Sequence, residues 1–282
     1  MKKHFIISDT VLLGRNFEES KRALLLINSI QNEYGHDVII MSNRPMHCMR
    51  NIGGVVSHGN IQYYYPGHCS EKGNGVNISF RGFDPADQRL EEIINIRYDY
   101  SIFGSGLAIV DEWDDIIYPK TMQFMDRELL LKLAATFESH NYKPVERCFT
   151  KADFAYKFFE PMFGSPIPTD TTYGMQCSQS ESLKYDQQMI KNIEAIDERI
   201  VGYILNGKPC FYLRDNDKWH TLYNGLVEKK SVNLDNAIFF LGCETENLMA
   251  ENVSKSAYGF GDNSPSCSKK ADSLLLALKK EL

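Results

Sequence analysis

His4-Phe5-Ile6-Ile7-Ser8-Asp9-Thr10-Val11-Leu12-Leu13 is an apolar run interrupted by one carboxylate, Asp9. A continuous apolar stretch of strand length reads as a parallel strand buried on both faces of an α/β sheet. In open sheets of this kind, ligands sit just beyond the carboxyl ends of the strands. Asp9 therefore stands where a nucleophile or a metal ligand is expected. Three later stretches look arranged to meet it: Ser42-Asn43-Arg44, Lys218, and Gly242-Cys243-Glu244-Thr245-Glu246-Asn247.

Working outward, Asn16 with Glu19 three residues on forms a capping-box pattern that starts a helix. Phe17, Leu24, Ile27, Ile30 and Tyr34 give that helix an apolar face, and Gly35 stops it. Asp37 to Met41 is a second buried strand, ending at Ser42. Strand, helix and strand with short links form a βαβ unit, so Asp9 and Ser42 should share one edge of the sheet. Residues 51–100 are broken by Gly53, Gly54, Gly59, Gly67, Gly73, Gly75 and Gly82, and read as either a lid or a set of short strands.

Regular patterns return with Ile102 to Asp111, then a helix over 126–140 with Leu129, Leu130, Leu133, Ala134 and Phe137 inward. A strand over 145–149, a helix over 183–196 and a hairpin over 201–213 follow. Asn206-Gly207 is a type I′ turn signal in that hairpin. These elements do not alternate as in the first fifty residues, so an α+β insertion is expected. From Trp219 a helix repeats apolar residues at 219, 222, 223, 226 and 227, and Ala237 to Leu241 is a third buried strand. A weak strand near 257–260 and a helix over 271–280 end the pattern.

The chain has 282 residues, 43% of them hydrophobic and 24% charged, which suits one large α/β domain or two smaller ones. A net charge of −6 argues against broad binding to nucleic-acid phosphates. No apolar run approaches the roughly 20 residues that span a bilayer, and the stretch after Met1-Lys2-Lys3 is too short for a secretory signal. A cytoplasmic protein is the expectation. The seven cysteines are scattered and never form a C-x-x-C pair, a pattern of reduced thiols. His47-Cys48, His58 and His68-Cys69 match no standard zinc spacing.

The strand ending in Asp9, the strand ending in Ser42, Lys218 opening a helix and the strand ending in Gly242 resemble, in this order, the haloacid dehalogenase (HAD) superfamily of phosphohydrolases. The branch they look like is the Cof-type, sucrose-phosphatase and trehalose-phosphate-phosphatase group. That resemblance implies a Rossmann-like parallel-sheet core over 1–106 and 207–282, with an inserted α+β cap domain over 107–206. It implies that Asp9 is the nucleophile forming an aspartyl-phosphate, that Ser42 holds a phosphoryl oxygen, and that Lys218 offsets charge. Asn43 and Arg44 resemble the segment that binds substrate. Mg²⁺ would be held by Asp9, the Val11 carbonyl, Glu244 and Asn247.

Four positions depart from the family pattern. Val11 replaces the second aspartate, whose general acid–base help is worth roughly 10²–10⁴ in rate. Cys243 replaces the first acid of the metal motif, where a soft sulfur suits Mg²⁺ poorly. Asn247 falls where the last acid usually sits, and Trp219 stands where a small residue is usual. The expected activity is Mg²⁺-dependent hydrolysis of a small phosphorylated metabolite, plausibly a sugar phosphate, with no nucleic-acid or membrane partner. The alternative is a protein of the same fold that has lost catalysis and works by binding a ligand or a protein partner.

Overall fold

A computed structural model describes residues 1–12, 17–42, 53–57, 60–64, 69–71, 76–78, 90–104, 106–113, 115–119, 123–140, 145–150, 172–178, 182–205, 208–213, 218–242, 247–261, 267 and 269–282. The first βαβ unit forms as the sequence predicts. β1 (His4–Ser8) leads to α1 (Phe17–Asn32) and then β2 (Asp37–Met41), with His4 beside Asp37 and Ser8 beside Met41 in parallel register. Leu24, Ile27 and Ile30 of α1 are fully buried, whereas Tyr34 lies past the helix end and is exposed, contrary to its expected place on the apolar face. Gly35 takes a φ of +66°, which a side chain would resist, and the chain turns there. The Asn16 capping box lies outside the described residues.

Between β2 and the next strand of the main sheet come five short strands: β3 (Gly53–Ser57), β4 (Asn60–Tyr64), β5 (Cys69–Glu71), β6 (Val76–Ile78) and β7 (Leu90–Asn95). Of the two readings of this glycine-rich segment, short strands is the one observed. β4, β3 and β7 form an antiparallel sheet that packs on α1, and β5 pairs with β6. The crossover between two parallel neighbours is thus a small sheet where a helix is usual.

β8 (Tyr100–Phe103), β9 (Ala108–Asp111) and β10 (Ile116–Tyr118) follow as an antiparallel meander. Then come α2 (Arg127–Ser139), β11 (Val145–Thr150), β12 (Thr172–Cys177), α3 (Leu183–Glu194), β13 (Ile200–Leu205) and β14 (Lys208–Leu213). The chain ends with α4 (Lys218–Leu222), β15 (Ala237–Leu241), α5 (Asn247–Asn252), β16 (Ala257–Gly259), β17 (Lys269–Lys270) and α6 (Leu274–Glu281).

The large sheet runs β10-β9-β8-β2-β1-β15-β16-β17, parallel from β8 to β17. Alternate residues of its central strands supply two separate cores. Phe5, Ile7, Val38, Ile40 and Phe240 pack under α1 and α6, while Ile6, Ile39, Met41, Phe239 and Leu241 pack under α4 and α5. Burial on both faces explains why these strands read as unbroken apolar runs. The chain leaves β1 toward β2 on one side and β15 lies on the other, so the β1 carboxyl end is the point where the winding direction reverses. Ligands of open α/β sheets bind at such a point.

β11, β12, β14 and β13 form a second, antiparallel sheet. Its strands alternate as sharply as the sequence allows. Met175, Cys177, Phe211 and Leu213 face α2 and α3, with Leu129, Leu133, Phe137, Met189 and Ile193 behind them. Tyr173, Cys210 and Tyr212 point the other way and join the core of the large sheet. Leu205 pairs with Lys208, as a two-residue connection requires, although Asn206 and Gly207 themselves lie outside the described residues.

Sheet membership moves both boundaries expected for the insertion. Ile102 to Asp111 forms two strands: Gly104, at a φ of +55°, turns β8 back into β9, and β9 and β10 extend the large sheet. At the other end, a boundary at 206 would split the β13–β14 hairpin, which belongs wholly to the second sheet. The second sheet, β11 to β14, with α2 and α3 packed on it, makes a unit with its own core.

Candidate active site at the carboxyl end of the central strand

After Ser8 the chain makes a single tight turn over Asp9–Val11, with the Leu12 N–H donating to the Asp9 carbonyl at 3.4 Å. The buried Ser8 hydroxyl caps this turn. It accepts from the Thr10 N–H at 3.4 Å and lies 2.8 Å from the Thr10 hydroxyl. Asp9 is therefore held by its neighbours on both sides and left half-buried at the sheet edge.

Ser42 leaves β2 at the same edge, fully buried, its N–H donating to the Ile102 carbonyl of β8 at 2.8 Å. Its hydroxyl donates to Asp9 Oδ2 at 2.7 Å. The two residues singled out at the ends of separate strands thus meet, because β1 and β2 are parallel neighbours of equal length. A hydroxyl donating to a carboxylate is a charge-assisted bond, shorter and stronger than a neutral one.

β15 pairs with β1 in parallel and also ends at this edge, at Gly242. A Cβ added at Gly242 would lie 2.5 Å from Thr10 Oγ1 and 2.5 Å from Val11 Cγ1. Only glycine lets the end of β15 come this close to the turn that carries Asp9. Cys243, Glu244 and Glu246 lie outside the described residues, as do Asn43 and Arg44. Asn247 opens α5, with its side chain not described.

Lys218 begins α4 and is buried, at 4% exposure. The short helix packs across β8 and β9 and against α5. One turn after Lys218, the buried Thr221 hydroxyl donates to the Gly106 carbonyl in the β8–β9 turn, fixing the helix to the site edge of the sheet. Beyond Leu222 the helix widens, with Glu228 and Ser231 donating to carbonyls five residues back, at Tyr223 and Leu226. Gly225 sits in the widened turn, where a Cβ would lie 2.4 Å from Ile109 Cδ1. Sequence periodicity marked the apolar face of this segment, except that Tyr223 is exposed, but neither its change of pitch nor Thr221. A threonine inside an otherwise apolar helical stripe was the available signal.

Val11 is a packing residue. It is 5% exposed and shares a cluster with Phe5, Ile7, Leu12 and Leu24. Among the described residues no group of three or more His, Cys, Asp or Glu side chains is placed to hold a metal. Oxygen donors at the edge begin with the Asp9 carboxylate and the Val11 carbonyl. Both of these oxygen donors are hard, the type that Mg²⁺ takes. The expected donors Glu244 and the side chain of Asn247 lie outside the described residues.

No family model and no curated protein sequence matches the chain. Solved structures do. A haloacid dehalogenase-like hydrolase from B. subtilis superposes with a TM-score of 0.60 at 12% identity, covering 99% of this chain and 100% of its own. A protein from Plasmodium vivax described as HAD/Cof-like gives 0.60 at 12% identity, over 99% and 95%. A sugar phosphatase of HAD subclass IIB gives 0.56 at 12% identity, over 99% and 98%. The likeness runs over nearly the whole of this chain and of each of these structures, and on that ground the chain has the haloacid dehalogenase fold of the Cof type.

Proposed function

We propose that the chain is a Mg²⁺-dependent phosphohydrolase of small phosphorylated metabolites, with sugar phosphates as the leading class. The observation that carries this reading is the Asp9 carboxylate at the winding switch point, held at 2.7 Å by the buried Ser42 hydroxyl. Asp9 is the nucleophile and forms an aspartyl-phosphate. Ser42 orients the carboxylate and then binds a phosphoryl oxygen. Lys218 supplies fixed positive charge, and Asn43 and Arg44 bind substrate. Mg²⁺, when bound through Asp9, the Val11 carbonyl, Glu244 and Asn247, would offset the repulsion between carboxylate and phosphate. The similarity of fold to a sugar phosphatase supports the substrate class.

The cytosol is part of the same reading. Cys148, Cys177, Cys210 and Cys267 are not disulfide-bonded, and no helix among the described residues is long and apolar enough to cross a membrane. A second reading, a protein of this fold that binds without turnover, is favoured by one observation, the apolar packing of Val11.

The test is Mg²⁺-dependent phosphate release from a panel of sugar phosphates and p-nitrophenyl phosphate, comparing the intact protein with Asp9→Asn. Turnover that requires both the metal and Asp9 is the expected outcome. A folded protein with no release above the Asp9→Asn background would leave the binding role.

A further inference from the structure

We infer that Thr221 is a positioning residue of this site: its bond to the Gly106 carbonyl fixes where α4 presents Lys218 at the Asp9 edge of the sheet. This rests on the charge-offsetting role of Lys218 in the phosphohydrolase reading and names a contact on which that role depends. α4 has five residues, too few for a helix to persist alone, so packing decides its position. Lys218, Thr221 and Leu222 are buried, whereas Trp219 is half-buried and His220 exposed, so one face of the helix is turned inward. A cation in the first turn gains nothing from the helix dipole and loses solvation when buried. Lys218 therefore sits where helix stability alone would not put it.

The anchor of α4 is the turn from β8 into β9, which also locates other parts of the site. The Ile102 carbonyl accepts from the Ser42 N–H at 2.8 Å. The Phe103 ring meets Tyr173 of the second sheet. The Gly106 and Leu107 N–H groups both donate to the Phe103 carbonyl, at 3.1 and 3.0 Å, which tightens the turn. Gly106 is buried at a φ of +101°, and its carbonyl accepts from the Thr221 hydroxyl. One short stretch of chain thus places both Ser42 and the helix that carries Lys218. Beyond α4 the backbone is pinned again, because a Cβ at Gly225 would come 2.4 Å from Ile109 Cδ1 and 3.1 Å from Tyr118 Cγ. That close seat on β9 and β10 holds the segment against sliding, and the Thr221 bond sets its rotation. Valine would fill the same space; the hydroxyl adds direction. Widened turns like the one that follows Leu222 occur frequently at functional sites.

The experiment is a double-mutant cycle on the full chain: the intact protein, Thr221→Val, Lys218→Met and the two combined. Each is assayed for Mg²⁺-dependent turnover of p-nitrophenyl phosphate and for its affinity for inorganic phosphate, beside a thermal melt. Thr221→Val should lower kcat/KM by about 10²-fold in the intact protein, the scale of a slightly misplaced group. In the Lys218→Met background the same change should cost less than about twofold, because two residues that act through one another are not additive. Thr221→Ser keeps the hydroxyl and should retain most of the turnover.

A merely structural role would lower stability and turnover alike in both backgrounds. That outcome, or a Thr221→Val variant as active as the intact protein, would overturn the inference while leaving the phosphohydrolase reading intact. Absence of any Asp9-dependent turnover would overturn the phosphohydrolase reading, and phosphate affinity then decides the inference by itself. A loss of about tenfold on Thr221→Val that disappears in the Lys218→Met background would sustain it. Equal losses in both backgrounds, or no phosphate binding, would overturn it as well. Thr221→Ala carries the same cycle if Thr221→Val does not fold.

Discussion

The bond between Ser42 and Asp9 shows how much a single buried hydroxyl is asked to do at this edge. Ser42 is fully buried, so its 2.7 Å bond to Asp9 Oδ2 is shielded from competing water. Replacing it with alanine removes the donor but leaves Asp9 half-exposed to solvent, which can take over the hydrogen bond. Ser42→Ala should therefore lower kcat/KM by about 10²-fold, the scale of losing one donor to a developing charge, while Tm moves little. Steady-state kinetics beside a thermal melt checks both halves. Asp9 and Ser42 were legible in the sequence because each ends an apolar run, and equal strand lengths then bring the two ends level. The tight fit of Gly242 against Thr10 and Val11 was not legible, since it depends on two strands far apart in the chain converging at their ends.

Among the elements, the inserted unit is tied together by one charged cluster at the entrance to α2. Asp126 Oδ1 accepts from the Leu129 N–H at 2.8 Å, capping the helix, and its Oδ2 accepts from Arg199 Nη1 at 3.0 Å. Arg199 also grips Asp197 with Nε at 2.9 Å and Nη2 at 2.8 Å, so one guanidinium joins the start of α2 to the turn before β13. These bonds from Arg199 hold the Asp197 carboxyl down at about 2, below its ordinary 3.8. A depressed carboxyl contributes stability above its ordinary value and loses it as pH falls through the folded value. The Asp197 contribution is thus fully present above about pH 4 and fades toward pH 2. Arg199→Gln should lower Tm by about 1–3 °C near neutral pH, modest because the side chain is 46% exposed. The gap to the unsubstituted protein should close as the melts are repeated from pH 4 toward pH 2. The helices and hairpin of this unit were readable from their apolar spacing. Their assembly into one sheet separate from β9 and β10 was not, because pairing partners are set by tertiary packing and not by local pattern.

For the whole molecule, the question is whether the two sheets behave as one body. The inner face of the second sheet is apolar where it meets the first: Tyr173 and Tyr212 are fully buried, Cys210 is 1% exposed, and all three belong to the cluster that contains Phe5, Val38 and Phe240. Tyr173 meets Phe103 at the end of β8 edge-to-face, with ring centroids 6.5 Å apart, a favoured aromatic geometry. Polar inter-domain faces usually allow domains to melt apart, whereas a continuous apolar seam couples them. The second sheet has its own core under α2 and α3, so it could persist or melt by itself once that seam is cut. The unsubstituted protein should accordingly unfold in one calorimetric transition. Tyr173→Ala removes a large buried ring from the seam without touching the core under α2 and α3, at a cost of about 3–5 kcal/mol. Its calorimetric trace should resolve into two transitions, with the inserted unit melting first. A single transition merely shifted to lower temperature would mean that the sheets remain coupled by the rest of the seam, Tyr212 and Cys210 foremost.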